Sequence, residues 1–377
     1  MLPKLYGCMM LKDEARNIRR CLDSIRKLCD EIVIVDTGSI DDTVKIARGY
    51  GAIVYPGTFN WRKPPIFDFS LHRNAGLQYC EELGADWLLV IDGDESLKPI
   101  GISPQEFKAR LLRLPKNIHA LGTQVHEQLE NGAFALSLWG TRFFKARVGV
   151  HYEGIVHNRP KLYRGGYCAA SNVIVYHHGY HDNKVMAGKR ARTIPLLDKR
   201  IKENPEDYEA YYYKCLSLCG QDKVEEAIVA GEKCMEILGE KIDQDPARLN
   251  YFGIMYYAIG WAYFRLWELT DTQHASTRAY QWWYRGWELF PDDIDLNFQL
   301  CTMGYMSRNP DMTREHGERY QKSMERLKQE IEMDAPAFEN EINLHTWVLG
   351  PRHIHLATPK HEAMVRSMME EMGRIAA

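Results

Sequence analysis

Residues 86–95 read Asp-Trp-Leu-Leu-Val-Ile-Asp-Gly-Asp-Glu. An unbroken apolar run between two acids suits a strand buried on both faces, as in a parallel sheet; a half-exposed strand would alternate. The run ends in Asp92, Asp94 and Glu95 around Gly93. Carboxylates this close are costly unless a cation or strong donors compensate them. A hard divalent ion takes one or two carboxylates and fills its other positions with phosphate oxygens or water. Gly93 is expected to supply an unusual backbone turn that lets the flanking carboxylates converge. The bland alternative is a solvated acidic turn after a strand.

The flanking sequence repeats this build. Glu31-Ile-Val-Ile-Val-Asp36 is a second buried strand, and Leu5–Leu11 an earlier one. Between them Ile18, Leu22, Ile25 and Leu28 mark one face of an amphipathic crossover helix drawn from residues 13–28. A second helix is predicted over residues 41–50, with Asp41 and Asp42 favouring its N-terminus and Gly51 ending it. A strand over 52–55, a loop, and a helix near 71–83 lead to the Asp86 strand. This order predicts an open α/β sheet, in which ligands bind outside the carboxyl ends of the strands. Asp36, Asp92 and Asp94 all fall at that edge.

The chain has 377 residues, 45% of them apolar and 26% charged, which allows two globular domains. No apolar run approaches the ~18 residues a membrane span needs. Nine cysteines lack paired metal or redox spacing, which points to buried reduced thiols and a cytoplasmic location. The net charge of −3 hides an asymmetry: residues 142–202 carry +10 and residues 203–377 carry −12. The basic stretch can attract phosphates or a polyanion, or it can neutralise the acidic half across an interface.

Several motifs together resemble glycosyltransferase family 2, the inverting transferases of the GT-A fold. They are Met10-Leu-Lys-Asp-Glu-Ala-Arg-Asn-Ile18, residues 30–43 around Asp36, Asp68-Phe-Ser-Leu-His-Arg-Asn-Ala-Gly-Leu77, and residues 86–95. Arg142-Phe-Phe-Lys145, Tyr152-Glu-Gly-Ile-Val-His157 and His177-His-Gly-Tyr180 complete the series. Its order matches the branch that carries a helical tail. The resemblance implies a UDP-sugar donor and a Mn²⁺ or Mg²⁺ ion. It assigns Lys12, Glu14, Asp36, Arg73, Asn74 and Asp92 to donor binding, and Asp94 and His177 to the metal, with His178 as the fallback ligand. Lys189 and Arg192 are candidates to support the leaving phosphate, with a solvated basic helix face as the alternative.

The general base is less clearly marked. Relatives often have His-Glu after the Tyr-x-Gly stretch, where this chain has His157-Asn158. An amide cannot act as a base, so Glu153 and His157 are the local candidates. Asp94, Glu95 and the His126-Glu127 dipeptide also carry suitable groups. Trp61 and Asp68 belong to a loop over residues 57–69 that either covers the donor or is ordinary surface.

Beyond about residue 186 strand signals give way to aromatic-rich helices. Asn204-Pro205, Asp245-Pro246 and Phe290-Pro291 recur before helical segments, resembling degenerate tetratricopeptide repeats. The expected organisation is a GT-A domain over residues 1–185, a helical-repeat domain over 186–334 and a helical extension over 335–377. The aromatic group Tyr280, Trp282, Trp283, Tyr284 and Trp287 reads as helix core, or as a stacking face where exposed. His345, His353, His355 and His361 read as surface. Such repeats suggest a peptide or protein acceptor, or a homodimer. A glycan, lipopolysaccharide or hydroxymethylated DNA acceptor, and a non-catalytic scaffold, are the competing readings.

Overall fold

The computed structural model describes residues 1–57, 68–128, 134–162, 167–178, 183–239, 249–332 and 359–376. The chain divides into two compact units, whose described residues run from 1 to 178 and from 183 onward.

In the first unit, strands β1 (Leu5–Leu11), β2 (Glu31–Asp36), β3 (Ile53–Pro56) and β4 (Trp87–Val90) are joined by helices α1 (Ile18–Ile25), α2 (Thr43–Gly49) and α3 (Phe69–Glu82). Then follow β5 (Glu95–Pro99), α4 (Pro104–Arg113), β6 (Ile118–Gln128) and β7 (Phe134–Lys145). The short pair β8 (His151–Glu153) and β9 (Arg159–Lys161) precedes β10 (Tyr167–His177). Eight strands form one sheet in the order β3-β2-β1-β4-β7-β6-β10-β5, and β8 pairs only with β9. The first four are mutually parallel, β7 runs antiparallel to both its neighbours, β6 and β10 are parallel, and β5 closes the edge antiparallel to β10. The open α/β sheet is as expected, and the antiparallel β7 and β5 make it a mixed one.

Side-chain alternation splits the core between the two sheet faces. Leu5, Met9, Leu11, Leu89, Ile91 and Phe143 pack with Ile18, Leu22 and Ile25 of α1 and Phe107 of α4. Tyr6, Cys8, Leu88, Val90 and Phe144 pack with Leu77 and Cys80 of α3 and Tyr152 of β8. Helix α3 lies close on β1 because Gly76 has no side chain: a Cβ there would come within 2.8 Å of the Cys8 sulfur. All nine cysteines are free thiols, and Cys219 alone among them is not fully buried.

Two local expectations need correction. The first crossover helix begins at Ile18, not near Asp13, because Asp13 adopts a left-handed φ of 55° and residues 12–17 form a loop. Of the two acids expected at the start of α2, Asp41 serves it by accepting the Thr43 amide and hydroxyl, as well as the Ala15 amide at 3.0 Å, whereas Asp42 at the N-cap position makes no side-chain cap bond.

The second unit is helical: α5 (Asn183–Glu203), α6 (Tyr208–Cys219), α7 (Val224–Gly239), α8 (Leu249–Thr270), α9 (Gln273–Leu289), α10 (Ile294–Met306), α11 (Pro310–Glu332) and α12 (Pro359–Ala376). A common start recurs. Two residues after Pro205 and Pro291, Asp207 and Asp293 cap α6 and α10 by accepting the Ala210 and Leu296 amides. The Asp245-Pro246 pair lies outside the described residues. Consecutive helices pack on one another through a core in which Trp283 is fully buried and donates its indole N–H to the Tyr257 carbonyl at 3.2 Å. Tyr280, Tyr284 and Trp287 are partly buried around it, the core role expected of that group. Helix α12 packs Val365 and Met368 against Phe298, Tyr320 and Met324. His361, expected at the surface, is half-buried and edge-on to the Phe298 ring. His345, His353 and His355 lie outside the described residues.

Close helix approach in this unit depends on glycine. A Cβ on Gly260 would overlap the Trp283 indole, whereas one on Gly253, in the same helix, finds its nearest neighbours at 3.8 Å. Gly260→Ala is expected to destabilise the helical unit by ~1–3 kcal/mol through overpacking. Gly253→Ala is expected to be neutral or to stabilise by up to ~1 kcal/mol. Urea unfolding followed by tryptophan fluorescence measures both, and equal effects would contradict this packing.

Candidate active site

At the carboxyl end of β4 the chain turns through Asp92-Gly93-Asp94 directly into β5. Gly93 is not among the residues with positive φ, so the expected unusual backbone turn is not what requires glycine. The requirement is space. A Cβ at Gly93 would meet Leu11 Cδ2 at 2.7 Å and Glu14 Cγ at 3.0 Å. The acidic turn and the loop after β1 therefore touch at this point.

Each of the three acids meets a basic side chain from a different element. Asp92 Oδ1 accepts Arg73 of α3 at 2.7 Å. Asp94 Oδ2 lies 3.3 Å from His177 Nε2, at the end of β10. Glu95 Oε1 accepts Arg142 of β7, and Glu95 Oε2 accepts the Asp92 amide at 2.9 Å. Asp94 and Glu95 are 7% and 2% exposed, while the Asp92 side chain keeps 34% of its surface open. Burial raises the Glu95 carboxyl above the usual carboxylate range, although Arg142 pulls it the other way.

Sheet pairing brings His177 here from far along the sequence, since β5 and β10 place it opposite Glu95. The next residue is turned elsewhere: His178 Nε2 is 2.9 Å from Ser96 Oγ, and its backbone N–H donates to the Asp94 carbonyl. Of the two adjacent histidines, His177 thus faces the Asp94 carboxylate. A carboxylate and an imidazole, with phosphate oxygens to complete the shell, form a donor set that suits Mn²⁺, and the carboxylate alone also suits Mg²⁺. Among the described residues no group of three or more His, Cys, Asp or Glu side chains forms a ready-made metal cage.

The proposed donor residues surround this turn. Asp36, at the tip of β2, accepts the amides of Gly38 and Ser39 and the Ser39 hydroxyl, which fixes the loop that follows. That loop is laced to the one after β1. Asp13 accepts the Ile40 amide at 2.8 Å, the Ser39 hydroxyl accepts the Asp13 amide, and Thr43 Oγ1 accepts the Glu14 amide at 2.7 Å. Desolvation raises the Asp41 carboxyl, but hydrogen bonds from Thr43 and Ala15 outweigh it and leave the group below the usual range. Glu14 itself accepts the Asn17 amide group, and Lys12 projects into solvent.

Helix α3 supplies two neighbouring residues with different duties. Arg73 lies over the Tyr152 ring, 5.4 Å from its centroid, and its buried Nε has no hydrogen-bond partner among the described residues. Burial pushes the Tyr152 phenol up to about 12, despite Arg73 and Arg142 nearby. Asn74 is committed to the backbone: Nδ2 donates to the Tyr152 carbonyl at 2.9 Å, and Oδ1 accepts the Tyr152 amide at 2.7 Å. Both polar ends of Asn74 are used in bracing β8, a structural duty that the sequence offered no means of separating from donor binding.

The candidate bases stand on and beyond that braced strand. Tyr152 and Glu153 alternate across β8, so Glu153 points away from the Tyr152 side. Its side chain is 52% exposed, with Oε1 2.9 Å from His151 Nε2. His157 is exposed and adopts a left-handed φ of 50°. His126 is buried on β6, edge-on to Tyr176, and burial lowers its pKa. The Glu127, Lys189 and Arg192 side chains, and Trp61, lie outside the described residues. Asp68 caps α3 by accepting the Ser70 and Leu71 amides.

The open α/β sheet thus carries at its carboxyl edge an Asp-x-Asp turn and a histidine from a distant strand. Residues 8–128 match the model of glycosyl transferase family 2. It is similar to the SPbeta prophage-derived glycosyltransferase SunS of Bacillus subtilis, at 26% identity over 232 residues, covering 60% of this chain and 52% of that protein. A TPR repeat-containing protein of Synechococcus elongatus is 28% identical over 224 residues, covering 56% of this chain and 51% of the other. The chain thus spans about half the length of these curated relatives. Among solved structures, glucosyl-3-phosphoglycerate synthase of Mycobacterium tuberculosis, in complex with Mn²⁺, UDP and glucosyl-3-phosphoglycerate, shares 20% identity. That match covers 33% of this chain and 44% of the other, with a TM-score of 0.25. No helix among the described residues is long and apolar enough to cross a membrane.

If Asn74 braces β8, Asn74→Ala is expected to cost ~1–3 kcal/mol of stability by leaving a buried peptide unit without partners. Nucleotide affinity should stay within about twofold, because a lost direct contact would cost ~1 kcal/mol or more. Thermal unfolding and UDP titration separate the two effects, and a large loss of affinity at unchanged stability would return Asn74 to donor binding.

Proposed function

We propose that the protein is a metal-dependent, inverting glycosyltransferase that moves a hexose-type sugar from a UDP-sugar to a protein or peptide side chain. The observation that carries this reading is the meeting of Asp94 and His177, 3.3 Å apart, at the carboxyl edge of the sheet. Asp94 and His177 would hold Mn²⁺ or Mg²⁺. Such an ion neutralises negative charge on the departing nucleoside diphosphate.

The protein's own groups prepare the remainder of the reaction. Asp36 and the laced loops after β1 and β2 form the floor for the nucleoside, where a carboxylate accepts ribose or base hydrogen bonds. Glu14 and the main chain at Lys12 line the same floor. Asp92, partly open and held by Arg73, is placed for the ribose or the sugar, and the buried Arg73 guanidinium adds positive charge toward the phosphates. The acceptor nucleophile must lose a proton as it attacks the anomeric carbon. Glu153, open to solvent beside His151, is our assignment for that proton, with His157 as the alternative. General-base assistance is worth ~10²–10⁴ in rate.

A peptide or protein acceptor is supported by the helical second unit, since stacked helix pairs present extended surfaces that suit polypeptide ligands. Self-association through the same unit is the other use such a surface allows. The name of the Bacillus subtilis relative, a glycosyltransferase, supports the transferase class. The thiol-rich composition supports a reducing, cytoplasmic setting.

The test is a panel of nucleotide-sugars incubated with the protein and Mn²⁺ or EDTA, following release of free nucleotide. One UDP-sugar should be slowly hydrolysed with Mn²⁺ and spared in EDTA. Asp94→Ala should reduce turnover by ~10²-fold or more, the scale of losing transition-state charge stabilisation. His177→Ala should weaken Mn²⁺ binding by ~10–100-fold while the fold persists. Equal turnover in EDTA would remove the ion from the mechanism.

A further inference from the structure

Both carboxylate oxygens of Glu95 are bound within the protein. Oε2 accepts the Asp92 amide at 2.9 Å, and Oε1 accepts the Arg142 guanidinium. Its own amide returns to the Asp92 carbonyl at 3.1 Å, so the four-residue turn is closed by main chain and side chain together. The Asp92 carbonyl also faces the Cys21 thiol of α1, 3.4 Å away. Glu95 is 2% exposed, which leaves no access for solvent or substrate. As the first residue of β5 it pairs with His177 across the sheet. One residue thereby sets where Asp92 begins the turn and where Asp94 meets the imidazole.

We infer that Glu95, backed by Arg142, is a positioning residue that fixes the Asp92–Asp94 turn and its alignment with His177, and is neither a metal ligand nor the general base. A carboxylate is required because one group must accept from a peptide N–H and from a guanidinium at once. Glutamine in its place would turn an amide N–H toward one of those two donors. Arg142 is required as the counter-charge, because an unpaired carboxylate at this depth would be expelled toward solvent and carry the turn with it. Only the metal readout below rests on the function proposed above.

The experiment compares the full chain with Glu95→Gln, Arg142→Met, the double variant and Arg142→Lys. Hydrogen exchange on a fragment spanning residues 88–99 is read without any metal, and Mn²⁺ titration is read in the presence of UDP. Both disruptive single variants should exchange the turn amides about tenfold faster or more, with β1 and β2 unchanged. Each should weaken Mn²⁺ binding by ~10–100-fold. The double variant should be no worse than the poorer single, and Arg142→Lys should recover most of the protection. Arg142→Met, with Arg142→Lys as its conservative rescue, carries the same measurements if Glu95→Gln fails to fold. Faster exchange in a protein that binds no Mn²⁺ even as wild type upholds the positioning role and overturns the metal reading instead. Unchanged exchange in folded single variants overturns the inference. So does a Glu95→Gln protein that keeps its turn and Mn²⁺ affinity yet loses turnover at saturating metal, which would place Glu95 in the chemistry.

Discussion

Negative charge concentrated at the end of one buried strand is the constraint around which the first unit is arranged. Asp92, Asp94 and Glu95 cannot share so small a space as bare anions without compensation. The fold meets this with three separate partners: Arg73 from α3, His177 from β10 and Arg142 from β7. Those elements are distant in sequence, and the order β4-β7-β6-β10-β5 brings them to one edge. The antiparallel insertion of β7 beside β4 delivers Arg142, and the closing strand β5 returns the chain to face β10. Removing either strand would leave an acid without its counterpart.

The three pairings are not equivalent, and the difference has chemical meaning. Glu95 and Arg142 are enclosed and mutually satisfied, as in a structural ion pair. Asp92 keeps part of its surface open while Arg73 holds one oxygen. Asp94 faces an imidazole, the partner most readily exchanged for a cation because neutral histidine is itself a ligand. Enclosure therefore decreases from Glu95 through Asp94 to Asp92.

Much of this architecture was legible in the sequence. Continuous apolar runs ending in acids identified β2 and β4, because strands buried on both faces leave no alternation. The helical second unit announced itself through recurring X-Pro pairs ahead of aromatic-rich helical segments. Local hydrogen bonding was harder to read. Asp42 looked like a helix cap but makes no side-chain cap bond, while the two oxygens of Asp41 serve the helix start and the preceding loop at once. Gly93 suggested a special torsion, whereas the constraint is the bulk of Leu11 and Glu14, which only the folded contact reveals. Arg142 stood in a recognised motif with no role attached. Nothing in the order Arg-Phe-Phe-Lys states that a bonded strand will aim it at Glu95. Asn74 gave no sign that the main chain of β8 would occupy both ends of its amide.

That last contact gives one turn of α3 an unusual genetic character. Arg73 and Asn74 are adjacent in the gene yet serve separate clients, an acid on one strand and the peptide backbone of another. A shift in helix phase there would disturb both at once, whereas a single codon change would disturb only one. Homologues should consequently drift as a block through this segment, with compensating changes appearing together in the strands that it serves.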